Sequence, residues 1–264
     1  YGLVGSEMCI RDRDKEMLKM RGDILKKKLM VLCAVAIIIS TCLSGCKMNS
    51  GKIRFGSAGI GGTYQIFGDT FANLISSKSK KYNIEVKTTA GSAANLRLLS
   101  KDYIQMAVAQ MDLINDAYNR TGIFENDKKY QGYRAVASLY TEACQIVVPA
   151  DSDIQSMDDL EGKKVCIGEE ESGTEQNALQ ILNAYGLNER LVDTVNLNYT
   201  DAAKKLKSGD IDAFFCTAGV QTTVINELSK QCKIRLVSLD QKGISRLKKS
   251  YKFYTEYTIP AGTY

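Results

Sequence analysis

Two short polar turns offer the clearest chemistry in this sequence. One reads GGTY at 61–64 and the other reads SGT at 172–174, and each comes directly before a segment with the apolar spacing of a helix. The unpaired N–H groups and positive dipole end of a helix start favour an anion, and glycine allows a ligand close to the backbone. No lysine follows the glycines, as it would in a Walker phosphate loop. Each turn is therefore a candidate site for a carboxylate or another small polar group, with simple helix capping as the alternative.

Four further polar positions extend these turns. Ser92 is placed to cap the helix that contains Asn95, while Gln110 and Thr217 follow strands at their carboxyl ends, where ligands bind in open α/β sheets. We expect Arg97, in the middle of a helix, to face solvent. Removing one hydroxyl of the site, as in Thr174→Val, should weaken binding without unfolding the protein. The predicted ligand-binding residues are Gly62, Thr63, Tyr64, Ser92, Asn95, Gln110, Ser172, Gly173, Thr174 and Thr217.

Catalytic chemistry is poorly represented in the sequence. There is no histidine, which excludes catalysis by Ser-His and Cys-His pairs. The run Glu169-Glu170-Glu171 supplies carboxylates, but three in a row are typical of a solvated loop. We therefore expect neither an enzyme nor a metal or other cofactor. An enzyme with Cys166 or Cys216 as its nucleophile is the remaining alternative of that class.

The polar turns belong to an internal repeat that predicts the fold. Thr63 and Thr174 are 111 positions apart, and Ala94 and Ala203 are 109 apart, so the offset is nearly constant. Each repeat has the pattern strand, polar turn, helix, strand, helix, strand. Alternating strands and helices predict an α/β fold with mostly parallel sheets. Two such lobes with matching polar turns predict a cleft that binds a small molecule between them.

The connection between the repeats is predicted to act as a hinge. Residues 134–149, RAVASLYTEACQIVVP, are predicted to form one long strand that passes from one lobe to the other. The hinge would lie near Leu139–Val148 and in the stretch after Val237.

The first 46 residues form a separate region. Residues 17–46 have a basic segment, the apolar run Leu29–Ser40 and the tetrapeptide LSGC, which is the order of a lipoprotein signal peptide. The apolar run is too short to span a bilayer as a stable helix. We predict lipidation at Cys46 and an extracytoplasmic protein, anchored to the membrane or periplasmic. Residues 1–16 fit neither the signal nor the fold and are predicted to be non-native.

Charge and cysteine content exclude two other classes of protein. Residues 47–264 carry 27 Lys and Arg against 25 Asp and Glu, a net charge of +2, which is far from the basic balance of a nucleic-acid-binding protein. The four cysteines of this part have no C-x-x-C spacing, so a zinc site is not expected. Buried free thiols are expected at Cys144, Cys166, Cys216 and Cys232, with a disulfide as the alternative.

Several segments, taken in order, resemble one protein family. They are GIGGTY, TTAGSAANLRLL, AVAQMD, RAVASLYTEACQIVV, ESGTEQNALQIL, SGDIDAFFCTAGV and YTIPAGTY. Together they resemble the solute-binding subunits of tripartite ATP-independent periplasmic (TRAP) transporters, specifically the TAXI group, over residues 52–264. The sequence departs from that pattern at Gln65, Met111 and Gln221, and in the acidic run 169–171.

The resemblance implies a fold, a ligand class and a partner. The fold would be a two-lobed periplasmic-binding-protein fold of type II, with lobe 1 at 47–142, lobe 2 at 143–238 and, at 239–264, the truncated start of a segment that returns to lobe 1. The ligand would be glutamate, glutamine or an acid like 2-oxoglutarate, and the partner would be a TRAP membrane permease. Family members continue past residue 264, so we expect a C-terminal truncation. A subunit that presents its ligand to a membrane receptor kinase is the alternative function.

Overall fold

The computed structural model describes residues 52–127 and 130–264. The signal peptide, Cys46 and residues 1–16 lie outside the described residues. The strands are β1 Lys52–Gly56, β2 Asn83–Lys87, β3 Met106–Ala107, β4 Ala143–Pro149, β5 Lys164–Gly168, β6 Asp193–Asn196, β7 Ala213–Ala218 and β8 Ile234–Leu236. The α-helices are α1 Thr63–Lys78, α2 Ser92–Ser100, α3 Met111–Asn119, α4 Gly173–Ala184, α5 Tyr199–Ser208, α6 Thr223–Gln231 and α7 Gln241–Ser250. Single 3₁₀ turns occur at Gly122–Phe124 and Asp158–Leu160.

The strands form two sheets, and we name the lobes after them. Lobe 1, residues 52–142, contains a three-stranded parallel sheet in the order β2-β1-β3. Lobe 2, residues 143–238, contains a five-stranded sheet in the order β6-β5-β7-β4-β8. In both lobes the first strand of a βαβαβ unit lies between the second and the third. The structure therefore confirms the internal repeat that the sequence predicts.

The sheet of lobe 2 is mixed rather than mostly parallel. Strand β5 is parallel to β6 and β7, but β4 is antiparallel to both β7 and β8. Strands β7 and β8 are joined through helix α6, so they run in the same direction, as crossover-connected strands do. Strand β4 arrives from lobe 1 without a helical crossover and fits between them in the opposite direction.

Buried side chains fill both faces of the sheet in lobe 2. Along β7, Phe214 and Phe215 are fully buried and point to opposite faces, because side chains alternate along a strand. Phe215 packs in the core that α4 and α7 cover, and Phe214 packs in the core beneath α5 and α6. Sheets covered on both faces need such continuous apolar strands. In lobe 1, Phe55 packs against Phe67 and Phe71 of helix α1, with ring centroids 6.1 and 5.8 Å away.

The segment between the lobes is shorter as a strand than the sequence predicts. Only Ala143–Pro149 forms a strand, while residues 134–142 lack regular structure. Val136 is 84% exposed, and no strand of the described residues pairs with this stretch. The prediction of one long strand was wrong because β-propensity without a pairing partner does not make a strand.

Residues 239–264 pack against lobe 2. Helix α7, which the sequence reading did not predict, buries Leu247 in the core beneath helix α4. The Tyr254 hydroxyl donates to Gln180 Oε1 at 2.6 Å, and the Tyr264 hydroxyl donates to Gln145 Oε1. These contacts place residues 239–264 against lobe 2, and the return to lobe 1 stays a prediction. Across the part of the chain that the structure describes, no helix combines the length and the apolar character needed to cross a bilayer.

Candidate functional site

A small cavity lies between the two lobes. Its volume is about 40 Å³, against about 300–1,000 Å³ for pockets that take drug-sized ligands, so it suits a compact ligand group. Nine of the ten predicted ligand-binding residues line this cavity; Asn95 does not. The nine are Gly62, Thr63, Tyr64, Ser92, Gln110, Ser172, Gly173, Thr174 and Thr217.

Four helices begin at the wall of this cavity. Helices α1 and α2 start there from lobe 1, and helices α4 and α5 start there from lobe 2. Each start directs N–H groups and the positive end of the helix dipole towards the same volume. Helix α1 begins after Gly62 without a side-chain cap, whereas Ser172 and Asn198 cap α4 and α5 by accepting from backbone N–H groups. The cavity wall is therefore electropositive wherever these helices meet it.

Glycines let the backbone of the two lobes approach each other. Gly91 has φ +127° and ψ −144°, a conformation that only glycine adopts readily, and it lies against Ser172 of lobe 2. A Cβ on Gly62 would lie 3.3 Å from the Tyr199 ring across the cleft. The glycines of the predicted turns thus serve close packing between the lobes as well as access to the backbone.

Ser92 has a different role from the predicted one. Helix α2 begins at Ser92 itself, and its N-cap is Gly91, which makes no side-chain cap. The Ser92 hydroxyl instead accepts from the Gln110 backbone N–H at 3.1 Å and lies 3.5 Å from the Tyr64 hydroxyl. The prediction of simple capping was wrong, because the hydroxyl points to neighbouring elements at the cavity wall.

Tyr64 connects this cluster to a buried carboxyl group. Its hydroxyl donates to Glu142 Oε2 at 3.0 Å, so the contact with Ser92 has the serine as donor. Glu142 lines the cavity and was not among the predicted site residues. Burial raises the pKa of the Glu142 carboxyl from 4.5 to about 7, although the Tyr64 hydroxyl and the Gln110 amide lower it. Burial likewise raises the pKa of Tyr64 far above its ordinary value, so Tyr64 remains a hydrogen-bond donor.

Gln110 makes the central contact between the lobes. Its side-chain amide lies directly over the backbone of Gly173 and donates from Nε2 to Asn177 Oδ1 at 3.1 Å. Asn177 Nδ2 in turn donates to Asp112 Oδ2 at 3.3 Å and to the Tyr254 hydroxyl at 2.9 Å. This arrangement links lobe 1, helix α4 and the segment 239–264. Asn177 was not predicted; its only sequence signal is its place one turn after Ser172-Gly173-Thr174.

The hydroxyl of Thr174 belongs to a closed hydrogen-bonded group within lobe 2. The Tyr199 hydroxyl donates to the Thr217 carbonyl at 2.9 Å, so Thr174 must be the donor in its short contact with Tyr199. The Thr174 Oγ1 atom also accepts from the Thr217 backbone N–H at 3.3 Å. Tyr199 was missed in the sequence, although it opens helix α5 as Ser92 opens helix α2.

We expect Thr174→Val to lower stability as well as to weaken binding. Thr174 is only 4% exposed. Its replacement by valine would leave the Thr217 N–H without its acceptor and would remove the hydrogen bond that the Tyr199 oxygen accepts, while Tyr199 would still donate to the Thr217 carbonyl. Unpartnered buried groups cost about 1–3 kcal/mol, so the free energy of unfolding should fall by that amount in urea denaturation. Thr174→Ser keeps the hydroxyl and should lose less. Equal stability of Thr174→Val and the wild type would show that the network contributes nothing.

Asn95 lies behind the cavity and holds lobe 1 together. It is completely buried, and its Nδ2 atom donates to the carbonyls of Ser57 at 2.7 Å and Val108 at 2.9 Å. Its Oδ1 atom accepts from the Thr89 hydroxyl at 2.8 Å. The side chain therefore joins the ends of strands β1 and β3, and it does not line the cavity as the other predicted residues do.

The acidic run 169–171 is divided among three environments. Glu169 lines the cavity and contacts Gly59, Glu170 is exposed, and Glu171 forms an ion pair with Arg97. Burial and the nearby Asp201 carboxylate raise the pKa of Glu169. The Glu171 carbonyl also accepts from the Ala94 N–H at 3.2 Å, across the cleft. The expected single solvated loop is thus partly a contact between the lobes.

Arg97 is half-buried and paired, not a solvent-facing residue. Besides Glu171 in lobe 2, it forms an ion pair with Asp127 in lobe 1, with 3.2 Å between the Arg97 nitrogen and Asp127 Oδ2. Its guanidinium group therefore neutralises these two acids and does not line the cavity. The expectation of a solvent-exposed Arg97 was wrong, because the partner acids come from loops distant in sequence.

The cysteines offer little nucleophilic chemistry. All four of the described part, Cys144, Cys166, Cys216 and Cys232, are free thiols. Burial raises the pKa of Cys144 to about 11 and raises those of Cys166 and Cys216 as well, so their thiolates are disfavoured. Within residues 52–127 and 130–264, no group of three or more potential metal-ligating side chains is found.

The sequence matches one known family, and the structure is similar to those of several solute-binding proteins. The sequence profile of the NMT1-like family matches residues 55–264. The structure is similar to the binding component of an ABC phosphonate transporter from Pseudomonas aeruginosa, with a TM-score of 0.51, 12% identity, and coverage of 76% of this chain and 73% of that one. It is also similar to the alkanesulfonate-binding protein of Xanthomonas axonopodis pv. citri, with a TM-score of 0.48, 18% identity, and coverage of 71% and 60%.

The likeness to the Pseudomonas aeruginosa protein confirms the predicted fold class, an α/β fold with two lobes of the periplasmic-binding-protein kind. A further similar structure is the periplasmic aliphatic sulphonate binding protein from Escherichia coli, with a TM-score of 0.44, 17% identity, and coverage of 71% and 56%. This chain spans 60% and 56% of the lengths of the two sulfonate-binding proteins.

Proposed function

We infer the function from two premises: the chain belongs to the NMT1-like family, and polar groups from both of its lobes line one cavity. We propose that it is an extracytoplasmic solute-binding protein that captures a small organic anion or amino acid between its lobes. Delivery of that solute to a membrane permease, without catalysis, would be its role.

The observation that carries this proposal is that residues of both lobes form the cavity wall. Lobe 1 contributes Tyr64, Ser92 and Gln110, and lobe 2 contributes Gly173 and Thr217. A ligand held by both lobes contacts all of these groups only when the lobes are together, so binding favours the closed arrangement. An enzyme with a cysteine nucleophile would need a thiolate, and burial disfavours the thiolates of Cys144 and Cys216.

The type of permease and the attachment to the membrane are the finer parts of the proposal. The segments that resemble the TAXI group of TRAP solute-binding subunits support a TRAP permease as partner. The LSGC sequence at 43–46 supports a lipid anchor at Cys46. The resemblance also supports glutamate, glutamine and related acids as the first ligands to test.

Thermal denaturation with candidate solutes tests the binding function. The purified protein is heated with each standard amino acid and with small mono- and dicarboxylates at millimolar concentration. We expect an upward shift in the melting temperature for at least one solute, because a ligand that binds only the folded state stabilises it. The absence of a shift with every solute would contradict the proposed function.

The variant Gly173→Ala tests whether binding occurs between the lobes. A Cβ at this position would collide with the side-chain amide of Gln110, which must then swing away and lose its bond to Asn177. We expect at least about tenfold weaker binding in calorimetry, which corresponds to about 1.4 kcal/mol. Gly132→Ala is the matched control, because nothing lies within 4 Å of a Cβ at that position. Unchanged affinity in Gly173→Ala would place the binding site elsewhere.

A further inference from the structure

Building on the proposed binding function, we propose that the ligand is an amino acid in its zwitterionic form and that Glu142 accepts its ammonium group. The helix starts around the cavity would then hold the carboxylate of the same ligand. Glu142 would then determine specificity: it would favour ligands that carry an α-amino group over carboxylates that lack one.

The charged side chains at the cavity wall are all acidic. Glu142 and Glu169 line the cavity, and among the described residues no lysine or arginine does. Arg97 of helix α2 forms ion pairs with Glu171 and Asp127. A dianion would therefore meet two carboxyl groups and no cationic side chain, whereas an ammonium group would find a counter-charge.

Two buried oxygen atoms at the cavity wall have no hydrogen-bond partner in the part of the chain that the structure describes. Within the described residues, Gln110 Oε1 and Thr217 Oγ1 have no hydrogen-bond partner, and both side chains line the cavity. Thr217 is only 9% exposed, so water does not readily solvate its hydroxyl. The Gln110 oxygen is purely an acceptor and needs a donor. An ammonium group carries three donors, so it can satisfy Glu142 and Gln110 together.

The opposite end of the ligand has its own partners. The start of α1 presents the backbone N–H of Thr63 at the cavity wall, and helix α1 has no side-chain cap that would occupy its free N–H groups. Carboxylates are well matched to such positions. A molecule with one ammonium and one carboxylate group thus fits a cavity that has both an acidic and an electropositive side.

Proton binding by Glu142 gives this proposal a definite pH dependence. The titratable groups around Glu142 are acids, phenols and thiols, and none of them is basic: Tyr64, Asp112, Tyr140, Cys144, Tyr199 and Cys216. An ammonium group binds the ionised form of the Glu142 carboxyl. Below the pKa of about 7 this carboxyl is protonated, so it must release its proton before the ammonium group can bind. Affinity for an amino acid should therefore be constant above about pH 8 and fall with acidification below pH 7, approaching tenfold per pH unit.

Calorimetry with matched ligand pairs tests the ligand class. The pairs are glycine and acetate, L-alanine and propanoate, L-glutamate and glutarate, and L-glutamine and glutaramate, which differ within each pair only by the α-amino group. We expect every pair that binds to show at least tenfold tighter binding of the amino member at pH 8. Equal or tighter binding of the deaminated member would overturn the ligand class while leaving the binding function intact. Failure of all eight compounds, together with the negative thermal screen described above, would overturn both.

The variant Glu142→Gln tests the assigned residue. It keeps an acceptor for the Tyr64 hydroxyl but removes the charge, so we expect at least tenfold weaker binding of the amino member and loss of the pH dependence between 5 and 7. Glu170→Gln, an exposed acid outside the cavity wall, is the control and should bind as the wild type does. Unchanged affinity and pH dependence in Glu142→Gln would overturn the role of Glu142.

Discussion

Glu142→Gln is expected to stabilise the folded protein by about 3 kcal/mol at pH 8, even as it weakens ligand binding. Burial raises the pKa of this carboxyl from 4.5 to about 7, so the folded state holds its proton in a range where the unfolded state has lost it. Each unit of difference in pKa corresponds to about 1.4 kcal/mol. The neutral amide avoids the cost of ionising the buried group and still accepts from Tyr64.

The sign of this effect fixes the pH window in which to measure it. Because the pKa is raised on folding, the contribution of Glu142 to the free energy of unfolding of the wild type is greatest below pH 4.5 and falls as the pH rises through 7. Asp112 and Glu169 shift in the same direction but are common to both proteins, so the difference between wild type and variant isolates Glu142. Urea denaturation at pH 4.5, 6 and 8 should show a gap that opens with pH.

Two outcomes would contradict this account of Glu142. A difference between wild type and variant that stays constant from pH 4.5 to 8 would mean that the carboxyl titrates normally. A destabilised variant at pH 8 would mean that the ionised carboxylate contributes favourable contacts in the folded state. Glu170→Gln should change stability little at any of these pH values, because Glu170 is exposed.

Asn95→Ala is expected to lower the free energy of unfolding by about 3–4 kcal/mol. The change removes two donated hydrogen bonds, to the carbonyls of Ser57 and Val108, and one of the two acceptors of the Thr89 hydroxyl, the other being the Ser57 carbonyl. Each buried polar group left without a partner costs about 1–3 kcal/mol. Since these bonds join the ends of β1 and β3, the loss should be concentrated in lobe 1.

Asn183→Ala provides the comparison for this variant. Asn183 lies on the exposed side of helix α4, so its replacement should change stability by less than about 0.5 kcal/mol. Urea denaturation measures both changes. If Asn95→Ala were as stable as Asn183→Ala but failed to bind ligand, Asn95 would be a ligand-binding residue as the sequence reading predicts, and its structural role would be disproved.

These two residues show why the best-placed side chains were difficult to identify in the sequence. Glu142 lies in the segment RAVASLYTEACQIVV, which the sequence predicts to be one long strand, and its partner Tyr64 is 78 positions away. Asn95 follows Ser92 in a helix start that looks suited to binding a ligand, yet its amide turns inward to three partners. A stabilising Glu142→Gln change would fit a functional site, where groups suited to a ligand often cost stability.

What the sequence determined by itself was the local and repeated part of the structure. Apolar periodicity, helix caps and small-residue turns act over a few positions, so the two βαβαβ units, their polar turns and most of the predicted cavity residues could be located before the structure was known. Only the tertiary structure decided the antiparallel course of β4, the packing of residues 239–264 on lobe 2, and the division of Glu169, Glu170 and Glu171 among cavity, solvent and ion pair. The physical reason is that burial, pairing and pKa depend on atoms brought together from distant parts of the chain, and no local pattern encodes those neighbours.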